Sequence, residues 1–85
     1  MEERAKGILL VEDDELVREL LTTQLETLGF RVTAAGDAEE ALAAFLGGAA
    51  FHLLVTDVML PGEFDGHELV RRLRERRPGL PVLYS

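Results

Sequence analysis

An α/β fold is what this sequence predicts, built on a doubly wound parallel sheet with strand order 2-1-3-4. Three observations lead there. Strand-like and helix-like signals alternate along the whole chain, the pattern of successive βαβ units. Two runs, Ile8-Leu9-Leu10-Val11 and Leu53-Leu54-Val55-Thr56, are apolar without alternation, as strands covered by helices on both faces must be. Each run ends directly in carboxylates, Glu12-Asp13-Asp14-Glu15 after the first and Asp57 after the second. Parallel strands bring their C-terminal ends to one edge, where open α/β sheets place ligand sites.

Residues 1–6 read as an N-terminal tail and residues 7–85 as one domain. After the first strand, Leu16, Val17, Leu20, Leu21, Leu25 and Leu28 repeat at helical spacing, and Gly29 stops that helix. Phe30 to Ala35 is short and mixed, which suits an edge strand. Asp37 starts the second helix, with Glu40 three residues on as the partner of a capping box. Ala38, Ala41, Leu42 and Phe45 form its inward face, and Gly47-Gly48 ends it. Phe51 to Asp57 is the third strand. A loop with Pro61, Gly62 and Gly66 follows, and Asp65 caps the next helix with Glu68 again at the reciprocal position. Leu69, Val70 and Leu73 face inward there. Pro78-Gly79 breaks the helix and Pro81-Val82-Leu83-Tyr84 begins a fourth strand. Right-handed crossovers put helices on both faces. The two most apolar strands take the centre and the mixed second strand an edge, hence the order 2-1-3-4.

Composition excludes several classes. An apolar fraction of 47% supports a real core, against a disordered tail. With no cysteine, neither a disulfide framework nor a thiolate zinc site is available. No apolar run reaches the ~20 residues that span a bilayer, and the first residues lack the order of a secretory signal, so a cytoplasmic protein is expected. The net charge is −7, and the one dense basic cluster, Arg71, Arg72, Arg74, Arg76 and Arg77, reads as a solvated helix face matched to the helix dipole. Direct nucleic-acid binding by this segment is not expected.

The two strand ends carry the chemistry. If both strands stand side by side, Glu12, Asp13 and Asp57 converge, and three carboxylates so placed call for a cation. Magnesium suits an all-oxygen site of this kind. Asp57 is the candidate nucleophile, since a carboxylate can attack phosphorus to give an aspartyl phosphate. Acidic pairs after strands also occur as helix caps, and Asp14 is expected to be one. Pro61 and the Asp65-Gly66 turn hold the backbone after Asp57 in a tight loop, aiming the Met59 carbonyl toward the same edge. Thr56 is read as structural, and His52, at a strand entrance, and His67, in a helix first turn, as outside the site.

Ile8 to Asp13, then Leu54-Val55-Thr56-Asp57-Val58-Met59-Leu60-Pro61, then Asp65-Gly66, then Pro81 to Tyr84, together resemble the receiver domain of two-component response regulators, the CheY-like superfamily. The resemblance covers the chain from Gly7 onward and implies a flavodoxin-like (βα)5 fold, here stopping after the fourth strand, with the fifth strand and last helices absent. The family member known for this strand order is the standing example of it. The resemblance further implies that Asp57 accepts a phosphoryl group from a histidine kinase or phosphotransfer protein. Asp13 would be the principal magnesium ligand, with Glu12 beside it through water and the Met59 backbone carbonyl completing the set. Phosphorylation would then alter contacts with a downstream effector domain or protein. The Pro78 to Tyr84 stretch is similar to receivers attached to hybrid sensor kinases.

Departures from the family pattern matter. Its lysine at the end of the fifth strand is missing, for the only lysine here is Lys6. Its Ser/Thr position falls one residue beyond Ser85, and the loop after Asp57 is one residue longer than usual. A fourth strand with an unpaired outer edge implies that the native polypeptide continues, or that a dimer or domain swap covers the edge. The leading expectation is a phosphoacceptor signalling switch, not an enzyme beyond its own phosphorylation and dephosphorylation. One alternative is a phosphorylation-impaired interaction module. The other, an aspartate-nucleophile phosphatase, needs a second acid where Met59 stands.

Overall fold

A computed structural model describes residues 6–48 and 50–85. Of the tail expected at residues 1–6, all but Lys6 lies outside the described residues. The elements follow in the order β1 (Gly7–Val11), α1 (Glu15–Thr27), β2 (Arg31–Ala35), α2 (Ala38–Leu46), β3 (Leu53–Thr56), α3 (Gly66–Arg76) and β4 (Val82–Tyr84). All pairings are parallel and the sheet order is β2-β1-β3-β4, as the strand patterns predict. The third strand is shorter than the Phe51–Asp57 segment expected for it: residues 51 and 52 serve instead as anchors below the sheet. Phe51 is buried, and His52 Nδ1 accepts a hydrogen bond from the Gly7 N–H at 2.9 Å.

Strand alternation splits the core in two. Leu9, Val11 and Leu54 face α2 and α3, where Ala38, Ala41, Leu69, Leu73, Phe51 and Leu80 close the larger cluster. Ile8, Leu10 and Val55 face the other way, under Leu21 and Leu25 of α1. That second face is thinly covered. No residue of α1 is buried, and Leu16 and Leu20 remain 77% and 58% exposed despite their helical spacing. Among the described residues no helix is long and apolar enough to cross a membrane.

All three helices start on an aspartate that accepts from a backbone N–H three residues on: Asp14 from Val17, Asp37 from Glu40, and Asp65 from Glu68. The two capping boxes differ from expectation in their reciprocal half. Glu40 reaches past its cap to the Gly36 N–H at 2.6 Å. Glu68 turns outward to Arg71 and Arg72 at 2.6 and 3.0 Å, because two guanidiniums on the next turn outcompete one neutral N–H.

Candidate functional site

The register of the two central strands builds the site. Val11 stands opposite Thr56, so the next residue of each strand, Glu12 and Asp57, leaves the sheet at the same edge. Main-chain hydrogen bonds extend the ladder to both: Asp57 N–H donates to Val11 O at 3.3 Å, and Glu12 N–H to Ala35 O at 3.0 Å. Glu12, Asp13 and Asp57 each bring a carboxylate oxygen within 4.8 Å of the others. At that separation each pair of ionised carboxylates repels by roughly 3–4 kcal/mol at an effective dielectric near 20, and by about 1 kcal/mol in bulk water.

The three acids differ in surroundings. Glu12 is buried, and its Oε2 accepts the Asp14 N–H at 3.0 Å, which fixes the turn from β1 into α1. Asp13 is exposed, with its carboxylate open to the solvent side of the cluster, and Asp57 is half-buried. Asp57 Oδ1 accepts the Met59 N–H at 3.1 Å, so the chain wraps back around the acid instead of running away from it. Met59 itself has an exposed side chain, leaving its main chain as the part beside the cluster.

Two further residues shape this edge. Gly66 is buried where the chain re-enters as α3, and its N–H donates to Val58 O at 2.9 Å. A β-carbon there would overlap the Asp57 carbonyl oxygen, so only glycine permits this approach. Arg18 on α1 donates through Nη1 to Glu12 O at 2.8 Å. Sequence reasoning missed Arg18. No spacing within α1 could have found it, because which nearby acceptor so long a side chain meets is settled only by the assembled sheet edge.

Other candidates fall elsewhere. His52 sits at the opposite, N-terminal edge of the sheet, and His67 packs edge-on against Tyr84 with ring centroids 5.4 Å apart. Thr56 is buried and donates to the Asp57 carbonyl at 2.9 Å. Lys6 precedes β1 and so lies at the edge away from the acids. Ser85 stands level with Asp57, its N–H bonded to Thr56 O at 3.0 Å, and borders the apolar groove under α1.

The donor set fits a hard divalent ion. Opposite oxygens of a magnesium octahedron stand about 4.2 Å apart, so a cluster spanning at most 4.8 Å accommodates one ion through direct and water-mediated contacts. With no imidazole or thiolate in the cluster, a softer metal gains nothing here.

Comparison with known proteins agrees with this geometry. Residues 8–85 match the family profile described as the response regulator receiver domain. Over 79 residues the chain is 46% identical to response regulator protein FleR of Pseudomonas aeruginosa, covering 93% of this chain and 16% of that protein. The chemotaxis protein CheY4 of Vibrio cholerae superposes with a TM-score of 0.89 at 29% identity, over 95% of this chain and 68% of that one. Response regulator protein TrrA of Thermotoga maritima, crystallised in complex with Mg(2+)-BeF, superposes with a TM-score of 0.83 at 32% identity, over 91% and 65%. The same regulator is known in complex with the histidine kinase ThkA. The chain spans less than a fifth of the length of FleR, at 16%.

Proposed function

This chain belongs to the response regulator receiver family of two-component systems, and from that footing we propose that it is a phosphoacceptor switch whose reacting group is Asp57. One observation carries the reading: three acids from two strand ends, 45 residues apart at the extreme, bring oxygens within 4.8 Å on the ligand edge of the sheet.

Asp13 and Asp57 would hold magnesium directly, Glu12 would hold it through water, and the Met59 backbone carbonyl would complete the protein ligands. When bound, the ion screens the attacking carboxylate from its neighbours and gathers the phosphoryl oxygens. The chain's own residues do the rest. An Asp57 carboxylate oxygen attacks the phosphorus of a donor phosphohistidine. The O–P bond forms as the P–N bond breaks, and the imidazole leaves with its electron pair. The Met59 N–H, bonded to Oδ1 at 3.1 Å, orients the carboxylate and leaves Oδ2 for attack. Gly66 lets the start of α3 press against the Asp57 main chain, which fixes the backbone from which the acid projects.

The donor would be a histidine kinase or phosphotransfer protein, as in the complex known for TrrA, and the receiver of the signal a downstream effector. That reading places the chain in the cytoplasm, where such kinases draw on ATP. Magnesium and phosphate together would shift the population of the surfaces that partners recognise. That reading assigns no nucleic-acid partner to this segment. In α3, Arg71 pairs with Glu68 and Glu75, Arg72 pairs with Glu68 and Arg74 donates to Leu80 O, and just after the helix Arg77 donates to Phe51 O.

A second reading is a receiver-like interaction module impaired in phosphorylation. A dimer or swap through the outer edge of β4 belongs with that reading. One experiment separates them. Treat the protein with magnesium and a small acyl-phosphate donor, then measure intact mass. A phosphoryl adduct that Asp57→Asn abolishes supports the switch. No adduct favours the interaction module, and turnover of a phosphomonoester would favour a phosphatase.

A further inference from the structure

Glu39 and Glu40 are neighbours in the first turn of α2, and the helix splays their side chains roughly 100° apart. They divide the work. Glu40 Oε1 accepts the Gly36 N–H at 2.6 Å and so serves its own helix start. Glu39 leaves its helix altogether: its Oε2 accepts the N–H of Glu63 at 3.0 Å, across 24 residues of sequence. Glu63 lies in the loop that begins at Asp57. Beside it Gly62 has φ +102°, and a β-carbon there would stand 2.7 Å from Glu39 Oε1. That second oxygen is buried without a hydrogen-bond partner among the described residues. A glutamate in a first turn could reach water freely, so sinking its carboxylate against a loop backbone needs a reason.

The reason lies in how the loop is tethered. At its start, Asp57 Oδ1 holds the Met59 N–H. At its end, the Gly66 N–H holds Val58 O, and Arg72 lies over the Phe64 ring at 4.1 Å. Between these anchors stretch Pro61, Gly62 and Glu63, where glycine lowers the stiffness of the chain. Among the described residues, Glu39 supplies the one side-chain hydrogen bond to that middle stretch.

We propose that Glu39 is a positioning residue: it clasps the middle of the loop from α2 and thereby fixes the Met59 main chain beside the acid cluster. This inference rests on the phosphoacceptor reading for its consequence, though not for the clasp. Outer-sphere groups of this kind set how well the inner ligands meet an ion.

The test uses the full chain, Glu39→Ala and Glu39→Gln. The first readout is the Glu63 amide by NMR and hydrogen exchange; the second is magnesium affinity. Glu39→Ala is expected to shift the Glu63 amide upfield, to speed its exchange, and to weaken magnesium binding about tenfold. Glu39→Gln keeps an acceptor oxygen and is expected to restore both. A Glu63 amide unmoved in Glu39→Ala overturns the clasp. An amide released while magnesium affinity stays unchanged overturns the positioning role, as does a Gln variant no better than Ala. A parent chain that takes up no magnesium counts against the phosphoacceptor reading, while the Glu63 amide still decides the clasp.

Discussion

Asp13 is a side chain whose charge works against the fold and whose proposed role is to hold the ion. In the absence of a cation it adds its charge to a cluster already holding Glu12 and Asp57 within 4.8 Å. Neutralising it removes repulsion, so Asp13→Asn is expected to stabilise the magnesium-free protein by about 1 kcal/mol, allowing for its exposure to solvent. The same change removes the ligand proposed for the ion. Excess magnesium, which at about 100 times its Kd should add roughly 2.7 kcal/mol to the parent, should then add much less. Urea denaturation with and without magnesium measures both effects, and a destabilised Asp13→Asn would contradict the repulsion. Gly66 carries the opposite lesson. A β-carbon there meets backbone that cannot yield, so Gly66→Ala is expected to cost about 1–3 kcal/mol and to disturb Asp57 besides. A variant as stable as the parent in the same measurement would refute that contact.

At the scale of elements, the three helices share one device, an aspartate cap, and then diverge in what surrounds it. In α3 the Glu68 carboxyl, hydrogen-bonded first by Arg71 and then by Arg72, is held at about 2, below its ordinary 4.5. A depressed carboxyl pKa stabilises the folded state above about 4.5, and that contribution fades as the pH falls toward 2. The three groups lie near solvent, so the effect is small and weakens with salt. Comparing the parent with Glu68→Gln by denaturation across pH 2 to 6 checks the sign. The parent's small advantage should be present at the upper end and absent at the lower. The caps themselves were legible from sequence, because an Asp before an apolar-periodic run needs only local backbone. Where Glu40 and Glu68 turn was not legible, since each had two partners in reach and tertiary placement chose between them.

Across the whole molecule, the sheet separates a sealed face from an open one. Leu73 and Leu20 sit on helices of comparable apolar spacing, yet Leu73 is fully buried and Leu20 is 58% exposed. Leu73→Ala is therefore expected to cost about 2–5 kcal/mol and Leu20→Ala within about 0.5 kcal/mol of nothing, a contrast that thermal or urea unfolding reads directly. Equal costs would mean that α1 is covered more fully in solution than its exposed leucines indicate. The two faces also explain why the acid edge is firm while one side of the sheet is not. Both strands that carry the acids are central, each with a neighbour on either side.

Taken alone, the order of residues determined the alternation of strands and helices, the central places of β1 and β3, and the meeting of Glu12, Asp13 and Asp57 at one edge. These follow from local periodicity and from the geometry of parallel strands, neither of which needs a long-range choice. Only the tertiary structure decided that Arg18 braces the Glu12 carbonyl, that Glu39 crosses to Glu63, and that the leucines of α1 stay half in water. Each of those depends on which of several nearby surfaces a long side chain or an amphipathic helix finally meets. That competition is settled by the assembled sheet, and no spacing within a single segment records its outcome.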